Sequence, residues 1–156
     1  YVIGGADGAV KEALYLARFA RQVSIVCVED ELACIAEFRR KTAATPNIQV
    51  VPATRVGALH GADRVEALDL VSLADGRTRT VEDDGCGVFV YAGSEPNTAL
   101  YAGELRLENG FIPTNERMET SISGVYAAGD IRAKQLRQVA TAVSDGAIAA
   151  VNAATL

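Results

Sequence analysis

Hydrophobic positions along the chain alternate between short runs of strand length and longer stretches at helical spacing. Tyr1-Val2-Ile3 is an apolar run that stops at Gly4-Gly5-Ala6-Asp7-Gly8. Beyond it, Val10, Ala13, Leu14, Ala17 and Ala20 recur at helical period, with Lys11, Tyr15, Arg18 and Gln22 opposite them. Val23-Ser24-Ile25-Val26-Cys27 has the length and β-branched content of a strand. Asp30 is placed to cap a second helix running to about Thr42, and Arg39, Arg40 and Lys41 suit the carboxyl end of its dipole. Pro46-Asn47 breaks that helix, and Ile48-Gln49-Val50-Val51 reads as a third strand. This order of strand, helix, strand, helix and strand predicts a doubly wound, Rossmann-like α/β domain with a parallel sheet.

The pattern then changes. Arg64 to Leu73 and Arg77 to Glu82 are strand-like runs joined near Asp75-Gly76, a hairpin signal that predicts an antiparallel meander. Gly87-Val88-Phe89-Val90-Tyr91 is a continuous apolar run, suited to a strand covered on both faces. Gly93 to Thr98 is turn chemistry throughout and marks a boundary, giving residues 1–92 and 94–156 as two parts. In the second part, Asn109-Gly110 is another hairpin signal, and Val125 to Ala128 reads as a buried strand that ends in a turn at Gly129-Asp130. A helix of small residues from about Arg137 to Ala153 closes the pattern.

Composition narrows the classes. Of 156 residues, 49% are hydrophobic and 22% charged, values of an ordinary folded domain rather than a disordered chain. A formal net charge of −5 leaves no basic footprint for nucleic acid, and no apolar run is long enough to span a bilayer. Three cysteines, Cys27, Cys34 and Cys86, form no close pair, which points to a reducing, cytoplasmic setting. None has a basic neighbour that would activate its thiol, so packing accounts for them. His60, the single histidine, is expected in a surface loop, and no metal-ligand spacing is present.

Gly4-Gly5-Ala6-Asp7 lies between a strand and a helix N-terminus, where backbone N–H groups and the helix dipole favour an anion. The middle fingerprint position, at which backbone approaches a pyrophosphate, is Ala6 rather than glycine. The turn therefore reads equally as a nucleotide cradle and as a plain βα connection. At the end of the second strand stands Cys27-Val28-Glu29, with no arginine cluster for a 2′-phosphate. NADPH is thereby disfavoured, and NADH is left to Glu29.

Asp130 follows a glycine at a strand end, and its carboxylate can accept a hydrogen bond from a polyol hydroxyl. Arg137-Gln138 then opens a helix whose N-terminus would favour electron density on a reduced flavin. Alone, Asp130 is better accounted for as a helix cap; the combined pattern is not.

The order G-G-x-D-x-A-V-x-E-A-L-Y-L, then Gly93-x-x-Pro96-Asn97-Thr98, then Gly124-Val125-Tyr126-Ala127-Ala128-Gly129-Asp130 followed by Arg137-Gln138, closely resembles the low-molecular-weight thioredoxin reductases. The resemblance implies a homodimeric flavoprotein with FAD as cofactor, built of two doubly wound domains. Residues 1–92 would be the pyridine-nucleotide domain, and residues 94–156 the C-terminal part of the FAD domain. It places Gly129, Asp130, Arg137, Gln138 and Val139 at FAD, and Gly4, Gly5, Ala6, Asp7 and Glu29 at the nicotinamide nucleotide. Electrons would pass through FAD to a C-x-x-C dithiol and on to thioredoxin or a similar protein disulfide.

This sequence departs from the family at Ala6, and at Cys27, Val28, Glu29 and Ala33, where the 2′-phosphate motif would stand. The C-x-x-C is not among these residues, so the chain is expected to be an inactive portion of a longer enzyme. Two alternatives stay open: a relative that uses ferredoxin or oxygen in place of NADPH, and a non-catalytic or stand-alone nucleotide module of the same fold.

Overall fold

In the computed structural model, which describes residues 1–155, the chain forms two compact units, Tyr1–Gly93 and Ser94 onward. The first unit starts with β1 (Val2–Ile3), α1 (Asp7–Leu16), β2 (Val23–Val26), α2 (Ala36–Ala43) and β3 (Ile48–Val51). An antiparallel meander follows, β4 (Thr54–His60), β5 (Ala67–Ser72) and β6 (Thr78–Glu82), and the chain returns as β7 (Phe89–Val90). The parallel sheet has the order β3-β2-β1-β7, with Val2 opposite both Ile25 and Phe89. Strand order thus reverses at β1, since β2 and β3 extend to one side and β7 to the other.

The core of this unit is the apolar stripe of α1 laid on the sheet. Ala9, Val10 and Ala13 pack with Val2, Val23 and Ile25, all buried. Burial of a side chain the size of Ile25 contributes roughly 1.5–3 kcal/mol. In the meander, Leu68 and Leu70 point to one buried face while Asp69 faces the other way.

Several sequence expectations are met: the α/β class, the parallel strands, and the meander turning at Asp75-Gly76, where Gly76 takes φ +71°. Others are corrected. Asp30 does not cap a helix; α2 begins at Ala36 with Ile35 as its N-cap residue. Residues 28–35 have no regular structure because Leu32 and Cys34 are both drawn into the core, an alternation a helix cannot supply. β4 was not anticipated, for Gly57 and a register shift between Val56 and Ala58 interrupt its alternation. His60 ends this strand rather than lying in a loop, and its Nε2 meets Asp69 Oδ2 at 2.9 Å. β7 is an edge strand, with Val90 largely exposed rather than covered on both faces.

The second unit has little regular structure before its helix. Asn109 and Gly110 take φ +50° and +83°, and Glu108 and Phe111 exchange both backbone hydrogen bonds across them. That is the tight hairpin the Asn-Gly pair predicts. The expected strand at Val125–Ala128 is reduced to an isolated bridge between Glu119 and Tyr126, with Ala127 buried beneath it. A single ladder rung supports no strand, and turns on either side cut it short. α3 (Val139–Ala153) then closes the unit, starting two residues later than expected, where the Gln138 N–H donates to Thr141 Oγ1 at 3.1 Å. Among the described residues, no helix is long and apolar enough to cross a membrane.

Candidate functional site

The chain leaves β1 through a turn that only glycine can make. Gly4 sits at φ +129° and donates its N–H to the Val26 carbonyl at 2.8 Å. A Cβ there would overlap the Tyr91 carbonyl oxygen. Gly5 is buried, and a Cβ on it would stand 2.9 Å from Glu29 Oε2 and 3.0 Å from Cys27 Cβ. The Glu29 carboxylate therefore rests against the turn. Ala6, exposed and with extended backbone, is the N-cap residue of α1, and Asp7 lies in its first turn. The Tyr91 ring lies beside Gly8, 3.6 Å from where its Cβ would be. Gly4, Gly5, Ala6, Asp7 and Glu29 are thus brought together at the carboxyl ends of the strands, where the strand order reverses. This is where open α/β sheets hold their ligands.

Its charge is negative. Asp7 and Glu29 at the turn, and Asp30 and Glu31 next along the chain, are all exposed, and Cys27, Val28 and Ala33 contribute no cation. The Asp7 carboxylate is already engaged: its Oδ1 accepts the Ile35 N–H at 2.8 Å. Arg39, the guanidinium nearest along α2, donates to the carbonyls of Leu32 and Cys34 at 3.2 and 2.6 Å. Carboxylates on such a rim can accept hydrogen bonds from hydroxyl donors. A separate cavity of about 550 Å³ lies at the opposite, amino ends of the strands, lined by Tyr1, Val23, Gly87 and Phe89. It shares no residue with this site.

The thiols all lie above their ordinary range. Burial pushes Cys27 and Cys34 up, with the Glu29 carboxylate adding to the effect at Cys27. Burial and Asp83 do the same at Cys86.

In the second unit, Gly129 takes φ +85° and presents Asp130 with an exposed carboxylate, whose nearest cation is Lys134 Nζ at 3.8 Å. Arg137 Nε donates to the Asp130 carbonyl at 3.2 Å, and its guanidinium lies 3.9 Å above the Phe111 ring centre. Gln138 and Val139 open α3 beside it, and Val139 and Leu136 are exposed. Gly129, Asp130, Arg137, Gln138 and Val139 therefore converge on the start of one helix. A hydrogen-bond acceptor, an exposed apolar edge and a positive helix end stand side by side.

Asp145 is given no role by the sequence pattern, yet it organises this region. Its Oδ1 accepts Arg132 Nη1 at 2.7 Å, and its Oδ2 accepts Lys134 Nζ at 2.9 Å and the Gly129 N–H at 3.1 Å. The three charged side chains are only 9–12% exposed. Burial alone would raise the Asp145 carboxyl; the two cations and the N–H override it and lower it to about 2. The signal was present as one acid in an otherwise small and apolar helix, with Arg132-x-Lys134 just upstream. Among the described residues, no group of three or more His, Cys, Asp or Glu side chains could hold a metal.

A glycine turn at a strand-order reversal and an Asp-presenting turn at a helix start are the architecture of the Rossmann-like α/β class. The family model for pyridine nucleotide-disulphide oxidoreductases matches residues 1–146, and the chain belongs to that family. Its relatives include the thioredoxin reductases of Peptoclostridium acidaminophilum, 41% identical, and of Treponema pallidum, 38% identical. They match 98% and 99% of this chain and 50% of their own length in each case. The crystal structure of Lactococcus lactis thioredoxin reductase matches with a TM-score of 0.86 and 32% identity, over 98% of this chain and 50% of its own. That of T. acidophilum thioredoxin reductase matches with 0.83 and 28%, over the same shares. The family-level resemblance read from the sequence is borne out. The chain spans about half the length of the curated relatives it matches.

Proposed function

We propose that this chain supplies the nucleotide-binding unit and the flavin-facing segment of a thioredoxin-reductase-like flavoprotein. In that protein, electrons pass through FAD to a dithiol and on to thioredoxin or a similar protein disulfide. The observation that carries the reading is the exposed Asp130 carboxylate, held by Gly129 and Asp145 beside the open start of α3. A flavin has a polyol chain and a planar, largely apolar ring, and the residues present fit both. Asp130 would accept a hydrogen bond from a ribityl hydroxyl, and Arg137, Gln138 and Val139 would line the ring. The N-terminal dipole of α3 would favour negative charge there. When bound, FAD supplies the two-electron chemistry.

Residues 1–92 fit a pyridine nucleotide lacking a 2′-phosphate. Glu29 would accept ribose hydroxyls, and among the described residues no cation stands beside it to pair with an added phosphate. Cys27, Cys34 and Cys86 are not assigned to the dithiol step, since no two of them have C-x-x-C spacing and each thiol is pushed up. The flavin-bearing protein is taken to be a homodimer, as the resemblance implies.

The test is anaerobic rapid mixing of the flavin-loaded protein with each reduced nucleotide. NADH is expected to bleach the flavin band at lower concentration than NADPH, and oxidised thioredoxin to restore it. Equal or faster bleaching by NADPH would overturn the donor assignment. Purified protein that takes up no flavin would overturn the flavoprotein reading and favour a stand-alone nucleotide module.

A further inference from the structure

Residues 28–35 include Glu29, whose carboxylate rests against Gly5, and the exposed acids Asp30 and Glu31, yet they form neither helix nor strand. What fixes them is a set of ties at each end. At the start, the Cys27 and Glu29 carbonyls accept the N–H groups of Thr54 and Ala53, both at 2.9 Å. In the middle, Leu32 and Cys34 are buried in the core, and Arg39 bonds both of their carbonyls. At the far end, Asp7 Oδ1 accepts the Ile35 N–H at 2.8 Å. Asp7 stands in the first turn of α1, so this one bond joins the phosphate-facing helix end to the segment that meets the ribose. A carboxylate acceptor makes it one of the stronger kinds of hydrogen bond.

We propose that Asp7 is a positioning residue. By tying the acidic segment to the glycine turn, it holds Glu29 against Gly5 and so fixes the preference for a dinucleotide without a 2′-phosphate. The inference rests on the donor assignment made above. Asp7 acts through the backbone of Ile35 rather than by touching the nucleotide's ribose. Released, the segment would let the Glu29 carboxylate leave Gly5 and would free Arg39 from its carbonyls. An incoming phosphate would then meet less negative charge.

Two substitutions separate the tie from the charge. Asp7→Ala removes the acceptor, whereas Asp7→Asn removes the charge and keeps Oδ1. In Asp7→Ala, the Cys34 thiol is expected to react with an aromatic disulfide reagent about tenfold faster, the effect of losing one charge-assisted hydrogen bond. Cys27, in the same core but outside the segment, and Cys86, already half-buried, serve as internal references resolved by peptide mass mapping. Asp7→Asn is expected to label like wild type. Calorimetric titration with NADH and NADPH should show the ratio of their dissociation constants narrowing severalfold in Asp7→Ala and much less in Asp7→Asn.

Unchanged Cys34 labelling in Asp7→Ala overturns the inference by itself. Equal narrowing in both variants overturns it too, because charge alone would then explain the effect. Wild type that binds neither nucleotide overturns the donor assignment and the preference built on it, an outcome the labelling arm distinguishes from loss of the tie.

Discussion

Removing the Asp145 carboxylate should cost more than the pair it forms is worth. In Asp145→Ala, Arg132 and Lys134 remain with side chains 12% and 11% exposed and no buried anion between them. Breaking a buried ion pair from one side typically costs about 3–5 kcal/mol, because an uncompensated charge stays desolvated. Two features hold the expected loss near the low end, about 3 kcal/mol. Arg132 Nε keeps Thr114 Oγ1 at 2.7 Å, and Lys134 keeps Thr141 Oγ1 at 3.3 Å and Asp130 at 3.8 Å. Replacing Asp145, Arg132 and Lys134 together by apolar residues of similar size should recover most of that loss.

The same carboxylate has an acid signature. Its carboxyl is lowered to about 2 from 3.8, so its contribution is present in full above about pH 4 and vanishes as pH falls towards 2. A shift of that size is worth about 2 kcal/mol. Urea unfolding of the chain, followed by circular dichroism at pH 7, 4 and 2.5, measures both effects. Amide exchange at Gly129 localises them, since its N–H loses its acceptor. Asp145→Ala should unfold more easily at pH 7 and lose less further stability than wild type between pH 4 and 2.5. A variant within about 0.5 kcal/mol of wild type at pH 7, the range of an ordinary surface change, would refute the reasoning.

Other expectations concern the two turns. Gly4→Ala forces a side chain into φ +129° against the Tyr91 carbonyl, and a melt should show a loss of at least about 1–3 kcal/mol with no nucleotide-induced stabilisation. Phe111→Leu removes the ring beneath Arg137 and should cost about 1 kcal/mol in the same assay, with weaker flavin retention on gel filtration if Arg137 lines the ring.

Much of the scaffold was legible because single elements carry strong local signals. Val23–Val26 and Ile48–Val51 are β-branched runs between breakers, and Asn109-Gly110 allows hardly any conformation but a tight hairpin turn. The misreadings share one cause, which is tertiary demand overriding a local cue. Asp30 has the chemistry of a cap, but Leu32 and Cys34 are wanted in the core, and the helix waits until Ala36. Thr54–His60 pairs along its length with β5, yet Gly57 and the bulge beside it erase the alternation that would announce a strand. Asp145 sits in a helix where an acid is ordinarily solvated, and only the fold brings Arg132 and Lys134 to it. The glycine turn and the Gly129-Asp130 turn were both visible; that Glu29 rests on Gly5, and that Asp7 holds Ile35, was not.

The return of β7 to the far side of β1 also makes the closing contact of the sheet a long-range one. Val2 pairs with Phe89, so the edge of the parallel sheet closes only after the whole intervening chain has been gathered in. The meander does that gathering, since β4, β5 and β6 pair with immediate neighbours and close short loops. Once formed, it behaves as one compact spacer, and the entropy lost in joining β7 to β1 is that of a much shorter chain. The segment that carries Tyr91 to the glycine turn is therefore expected to be assembled last in the unit, and pulsed amide exchange during refolding should show Tyr91 protected after the meander. The turn at the sheet's carboxyl edge would then gain its Tyr91 neighbour only when the rest of that unit is already in place.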